Sequence, residues 1–281
     1  MTALRFEAVR FAYVDTPVLA DLDLTVSRGE VVALVGRNGA GKTTLTRLAM
    51  ALLHPQRGRV VVNGVSTADR RPEDMAAHAA YLFQHPDRQL FARTALDEAA
   101  FGPRQLGRAP SDAHAAARQA LARVGLAAHE QTHPFDLAPA ERKLLALAAA
   151  LAQGPVVYLL DEPTQGFDRP TRARAGHILR EEAAAGRAAV VVTHDLAFVA
   201  DWCDRAMLLV NGRIVHDRPA DAFVREVVEA PRDGLVAPIQ ARLGAALDPR
   251  ERPVRGRDVV RVLRSRCSRS EGGVSSPDAP C

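Results

Sequence analysis

The chain has 281 residues, 47% of them hydrophobic, and a net charge of +4. That length buries a substantial core and suits one large domain, alone or with a small appendage. The charge favours neither a nucleic acid nor a membrane surface over an ordinary soluble enzyme, and Cys203, Cys267 and Cys281 have no metal spacing and cannot all pair.

No window reaches the roughly 18 uncharged apolar residues of a membrane span. Arg5 and Glu7 stand where a signal peptide needs an apolar run, so none is expected. Leu4–Val14 partly alternates in polarity and Leu19–Ser27 alternates well, so both read as strands. Val31–Val35 is apolar throughout, which predicts a strand buried on both faces. A helix is expected from Gly41 to about Leu53, stopped near Pro55. A short strand over Gly58–Gly64 ends in an Asn-Gly turn, and "AYLFQ" is the next strand, ending on Gln84.

Residues 94–152 are mainly helical, with Gly125 as a cap and a Leu/Ala-rich helix over Glu141–Gln153. "PVVYLLDEPT" and "RAAVVVTHD" are buried strands running into loops, separated by an amphipathic helix closed by Gly186. "DRAMLLVNGRIVHD" reads as a strand, Asn-Gly turn and strand. Buried strands alternating with helices predict an α/β nucleoside-triphosphatase core with an antiparallel patch and an inserted helical region. The core spans residues 1–230, with the helical insertion at about 94–152. An extension follows over 231–264, suited to dimerisation or a membrane partner, and then a disordered tail over 265–281. Arg250–Arg269 holds eight arginines against two acids, which reads as a solvated tail or a contact for anionic lipid heads.

"GRNGAGKTT" places Gly36, Gly41, Lys42 and Thr43 in the GxxxxGK[ST] pattern, after a buried strand and before a helix. The backbone of Gly36, Arg37, Asn38, Gly39, Ala40 and Gly41 is expected to wrap a phosphate, helped by the helix N-terminus at Lys42–Thr44. Lys42 would reach the β- and γ-phosphates of a bound nucleotide and Thr43 would ligate Mg²⁺. Asp161 and Glu162 are adjacent carboxylates at a strand's C-terminal edge and point different ways. Asp161 is assigned to the metal and Glu162 to general-base work on the attacking water. His194 ends a parallel strand in the same crevice and is expected at the γ-phosphate or the water. Gln84 fits that edge as a γ-phosphate sensor and Mg²⁺ ligand.

Together these residues resemble the ATP-binding cassette ATPases over roughly Leu4 to Ala230. The resemblance implies a P-loop, RecA-like parallel sheet with an antiparallel β-subdomain and an inserted α-helical subdomain. It makes Gly36–Thr43 a Walker A loop, Val157–Glu162 a Walker B strand, Gln84 the Q-loop residue, Asp168 part of the D-loop and His194 the switch histidine. Tyr13 falls where an aromatic ring stacks on adenine, although Phe11 and Tyr13 would also suit strand core. "LFQHPDRQLF" looks like the segment after the Q-loop in the ATPases of energy-coupling-factor transporters, with Asp87, Gln89 and Phe91 at the matching positions. Such importers take up vitamins or transition-metal ions, driven by two ATPases on an integral membrane scaffold with a small membrane substrate-binding subunit.

One stretch departs from the family. Where Leu-Ser-Gly-Gly-Gln is usual, this chain reads Leu137-Ala138-Pro139-Ala140-Glu141. The hydroxyl donor and both glycines are gone, and proline adds no N–H. This degenerate signature loop is expected to complete a partner's site poorly. That favours a heterodimer with a second ATPase whose loop is intact, with a slow homodimer as the alternative. The expected role is an ATP-hydrolysing subunit that energises such an importer from the cytoplasmic face of the inner membrane. The rival readings are a soluble ATPase of this class acting on nucleic acid or the ribosome, and a catalytically weak ATP-binding partner. The arginine run keeps nucleic acid as a candidate, but it has no interleaved aromatic residues for stacking, and no nucleic acid is expected as a partner.

Overall fold

The computed structural model describes residues 1–230 and 235–271, with side chains through 230 and over 235–265. Two long strands open the chain, β1 (Thr2–Tyr13) and β2 (Thr16–Ser27), followed by β3 (Val31–Val35), α1 (Lys42–Ala49), β4 (Arg57–Val62), β5 (Val65–Ser66), α2 (Pro72–Met75) and β6 (Ala79–Leu82). Three helices come next, α3 (Ala95–Gln105), α4 (Pro110–Val124) and α5 (Pro139–Gln153). The chain continues through β7 (Val157–Asp161), α6 (Arg169–Ala184), β8 (Ala188–Val192), α7 (Leu196–Trp202), β9 (Arg205–Val210), β10 (Arg213–Pro219) and α8 (Ala220–Glu229). Two further helices, α9 (Ile239–Leu247) and α10 (Gly256–Glu271), complete it.

Strands β2-β1-β4-β5 form an antiparallel sheet, and β10-β9-β3-β8-β7-β6 form a second sheet. In that second sheet β9, β3, β8, β7 and β6 run parallel, and β10 pairs antiparallel at the edge. The unbroken apolar strands divide their side chains between two cores, as strand geometry requires. Val32 and Leu34 of β3, with Val157 and Leu159 of β7, face the antiparallel sheet and α1. Val31, Ala33 and Val35, with Tyr158 and Leu160, face the helical side. The expected architecture is therefore present: a RecA-like sheet, an antiparallel subdomain and an inserted helical subdomain of α3 to α5.

Some boundaries differ from expectation. Helix α1 ends at Ala49, not near Leu53, because Ala51 turns the chain with φ 52°. Helix α5 begins two residues before Glu141, at Pro139, whose fixed φ suits the first helical position. Strand β6 stops at Leu82, so Gln84 lies in the loop beyond it. Helix α10 carries regular backbone past residue 265 to Glu271, and residues 272–281, within the expected tail, lie outside the described residues. Cys203, which follows α7, is 3% exposed in the helical core, where burial pushes its thiol well above the ordinary range. No helix among the described residues is long and apolar enough to cross a membrane.

Candidate functional site: a phosphate loop facing two carboxylates

All five parallel strands point the same way, so the loops after β3, β6, β7 and β8 gather on one edge of the sheet. Ligands of open α/β sheets bind at that carboxyl edge. The loop after β3 holds its shape through close approach and permissive backbone. A side chain at Gly36 would collide with the Leu209 carbonyl of β9. Gly41 caps α1 at φ 107°, and a Cβ there would meet Leu19 at 2.8 Å. Lys42 is the first residue of the helix, and its ammonium donates to the carbonyls of Gly36 at 2.7 Å and Arg37 at 2.9 Å. Burial pushes its pKa down, against the charges of Glu162 and Asp161.

A cavity of about 460 Å³ opens over this loop. Asn38, Gly39, Gly41, Lys42, Thr43 and Thr44 line it together with Gln84, Asp161 and Glu162, and with Val18 and the partly exposed Tyr13. Ala40 turns inward to the core and is 9% exposed. Tyr13 is 40% exposed, packs edge-on against Phe11 at 4.9 Å, and places its hydroxyl 3.5 Å from Thr44 Oγ1. Val18 has no motif to announce it; it reaches the site only because β2 passes beside the loop.

Thr43 and Asp161 meet across the cavity floor, the hydroxyl donating to the carboxylate at 3.0 Å. Tyr81 of β6 reaches the same oxygen from below at 3.5 Å. Burial pushes the Asp161 carboxyl up, and neighbouring Glu162 adds to the rise, against Thr43, Lys42 and Tyr81. A hydroxyl beside a carboxylate is a hard oxygen donor set, which fits Mg²⁺ completed by substrate phosphates and water.

Glu162 leaves the strand with φ 48°, a left-handed backbone uncommon for a residue with a side chain. Its amide donates to the Val192 carbonyl at 2.8 Å. Its carboxylate receives Thr193 Oγ1 at 3.2 Å and His194 Nδ1 at 2.8 Å. Since a carboxylate only accepts, the imidazole carries its proton on Nδ1, leaving Nε2 directed elsewhere. His194 thus stands on Glu162, while its ring is 69% exposed. The sequence pattern brought the histidine to the crevice without indicating this contact.

The remaining expected positions are outside the cavity lining. Asp168 caps α6 by accepting the Thr171 amide at 2.9 Å. Gln89 folds inward, accepting from the Phe83 amide at 3.3 Å and donating to the Tyr81 carbonyl at 3.4 Å. Phe91 is 61% exposed and packs edge-on against Phe101 at 4.8 Å. Asp87 accepts from Arg142 Nη1 at 2.8 Å. That guanidinium also donates to the Leu137 carbonyl at 3.0 Å and the Phe135 carbonyl at 2.7 Å. Ala138 precedes α5 and donates its amide to the Glu141 carboxylate at 2.8 Å; having no side-chain acceptor, it cannot complete the reciprocal half of a capping box. Arg142 and the neighbouring Lys143 were not singled out from the sequence. The available signal was two adjacent cations near the start of a helix otherwise rich in Leu and Ala.

The ABC transporter family model matches residues 19–165. A provisionally named ABC transporter ATP-binding protein of Pyrococcus furiosus is 38% identical over 198 residues, covering 70% of this chain and 76% of that one. A second, from Gloeobacter violaceus, is 37% identical over 236 residues, covering 83% of this chain and 96% of that one. A third, from Caldanaerobacter subterraneus, is 35% identical over 75% of this chain, which spans only 37% of that longer protein. Among solved structures, cbiO1 of Clostridium perfringens, part of the ABC transporter complex cbiONQ, superimposes with a TM-score of 0.72 at 26% identity. That match covers 82% of this chain and 96% of cbiO1. With its phosphate loop, paired carboxylates and inserted helices in this arrangement, the chain belongs to the ABC transporter family and is an ATPase of that translocase class.

Proposed function

We propose that this chain is the ATP-hydrolysing subunit of a membrane importer of the energy-coupling-factor type, for a metal ion or a vitamin. The observation that carries the chemistry is the single cavity where Lys42 and Thr43 face Gln84, Asp161 and Glu162. Tyr13 in its lining offers a ring to adenine, and the backbone and ammonium of Gly36–Thr44 hold the phosphates. When bound, Mg²⁺ supplies charge neutralisation at the β- and γ-phosphates, and Thr43, Asp161 and Gln84 would hold it. Glu162 takes a proton from the attacking water as its oxygen bonds the γ-phosphorus and the bond to the bridging oxygen breaks, leaving ADP and phosphate. His194 and Thr193 keep that carboxylate aimed.

The importer class rests on the resemblance of Leu82–Phe91 to the coupling segment and on the likeness to cbiO1, itself part of cbiONQ. The exposed Phe91–Phe101 pair gives an integral scaffold an apolar surface to grip. A small membrane substrate-binding subunit would complete the assembly, with the ATPase peripheral on the cytoplasmic face. Loop 138–140 lacks side-chain donors, so a second ATPase with an intact loop completes the site built on Lys42 and Glu162. Fractionating cells that express the chain with and without its candidate scaffold tests the assignment. The chain is expected on membranes only with the scaffold; equal membrane association without any partner contradicts it and points to lipid binding by the arginine-rich tail.

A further inference from the structure

We infer that Lys143 is a positioning residue for Glu162, holding the catalytic turn from the helix that starts at loop 138–141. This rests on the reading of Glu162 as the general base. Lys143 lies one turn into α5 and is 8% exposed. Lysine is almost never buried to that extent without a partner. Here the partners are two backbone carbonyls of one turn, Glu162 O at 3.2 Å and Gln165 O at 2.9 Å.

The turn needs such a partner. Glu162 sits in the left-handed region at φ 48°, a conformation that persists only where its surroundings enforce it. Its amide, carboxylate and carbonyl are each tied. The amide is held by β8, the carboxylate by Thr193 and His194, and the carbonyl by the Gln165 amide at 3.3 Å and by Lys143. Of these ties only Lys143 comes from the helical subdomain. Two carbonyls turned toward one point repel each other, and a cation between them removes that repulsion through charge-assisted hydrogen bonds. The ammonium therefore holds the register between α5 and the turn that aims the base. Burial pushes the Lys143 pKa down, while the nearby charges of Glu162 and Asp161 support the ammonium.

A mere filler of the α5 face would make a different prediction. Lys143→Met keeps the apolar stem and removes the donors, so a filler role leaves turnover intact. A positioning role lowers kcat at least tenfold while affinity for a non-hydrolysable ATP analogue stays within twofold, because the analogue is gripped by the loop at 36–44. Lys143→Gln retains a neutral donor on a shorter stem and should fall between, at about three- to tenfold. Phosphate release, analogue binding and thermal midpoint are measured for the full chain and both variants in the assembly that gives the parent its turnover. Parental kcat in Lys143→Met overturns the inference, and so does an equal loss of kcat and analogue binding. If Lys143→Met does not fold, Lys143→Gln decides: parental kcat overturns the inference, and a kcat loss at unchanged binding sustains it. Glu162→Gln is the control for the underlying reading. If it turns over like the parent, the base assignment fails first; if it is dead while Lys143→Met is fully active, only the present inference fails.

Discussion

In the mechanism proposed above, Glu162 and Lys42 divide the work at the scale of single residues. Lys42 projects from the first turn of α1 into the phosphate cavity, so its charge acts on binding. Glu162 is held by Thr193 and His194 with its carboxylate on the same cavity, so its basicity acts on turnover. Glu162→Gln is expected to keep ATP affinity and lose turnover by about 10²- to 10⁴-fold, because an amide cannot accept the water's proton. Lys42→Ala should instead lose most ATP binding, and parallel affinity and phosphate-release measurements separate the two. Away from the site, Glu182 is 3% exposed and receives Tyr158, Arg123 and Arg187. Burial pushes its carboxyl up, but those donors prevail and hold it below the ordinary glutamate range. Its stabilising contribution is therefore full above that ordinary range and disappears as pH falls through the depressed folded value. Denaturant melts across acid pH should show Glu182→Gln weaker than the parent at neutral pH and with a shallower acid loss; parallel curves would contradict the assignment.

Helix α5 shows most clearly what sequence pattern can and cannot carry. Its apolar repeat and the missing donors at Ala138–Ala140 lie within one local stretch, so they are legible from residue order. The same holds for Val31–Val35, Asp161-Glu162 and Gly36–Thr43, where a strand period or a fixed motif spacing encodes the outcome. Arg142 and Lys143 are different. Arg142 binds the nearby Leu137 and Phe135 carbonyls but also Asp87, fifty-five residues away, and Lys143 binds Glu162, nineteen away; no local period specifies the distant pairs. Gln89 illustrates the same limit, because its position in a resemblance says nothing of its inward bonds to Phe83 and Tyr81. One testable result follows for the outer cation. Arg142→Ala frees the Phe135 and Leu137 carbonyls and Asp87 together. With Arg142 partly exposed, the cost should be about 1–2 kcal/mol in chemical unfolding. Amide exchange over 135–141 should also rise; unchanged protection there would show that the guanidinium does not hold the loop.

For the molecule as a whole, the proposed pairing with a second ATPase would make the two sites unequal. The start of α5 presents a loop without side-chain donors, while the cavity holds Lys42, Asp161 and Glu162, the groups proposed for hydrolysis. Restoring Ser-Gly-Gly at 138–140 distinguishes the assemblies. In a homodimer turnover should rise sharply, since a phosphate hydrogen bond in a closed site is worth roughly 2–4 kcal/mol. In a heterodimer the parent complex already turns over through its competent site, so the gain is at most about twofold. A lone parent chain that is a fast, cooperative ATPase with the loop untouched would remove the basis for asymmetry altogether. The burial of Cys203 adds a different kind of readout. Its sulfur is buried in the core on the helical side, and thiol reagents need an exposed thiolate. In a chain carrying Cys267→Ser and Cys281→Ser, a single reactive group then serves as a clock for the opening of the helical core. Labelling should proceed at the opening rate, slower with added ATP if the nucleotide binds only the folded form, and accelerating with denaturant. Immediate labelling in native buffer would mean that this core opens freely at rest.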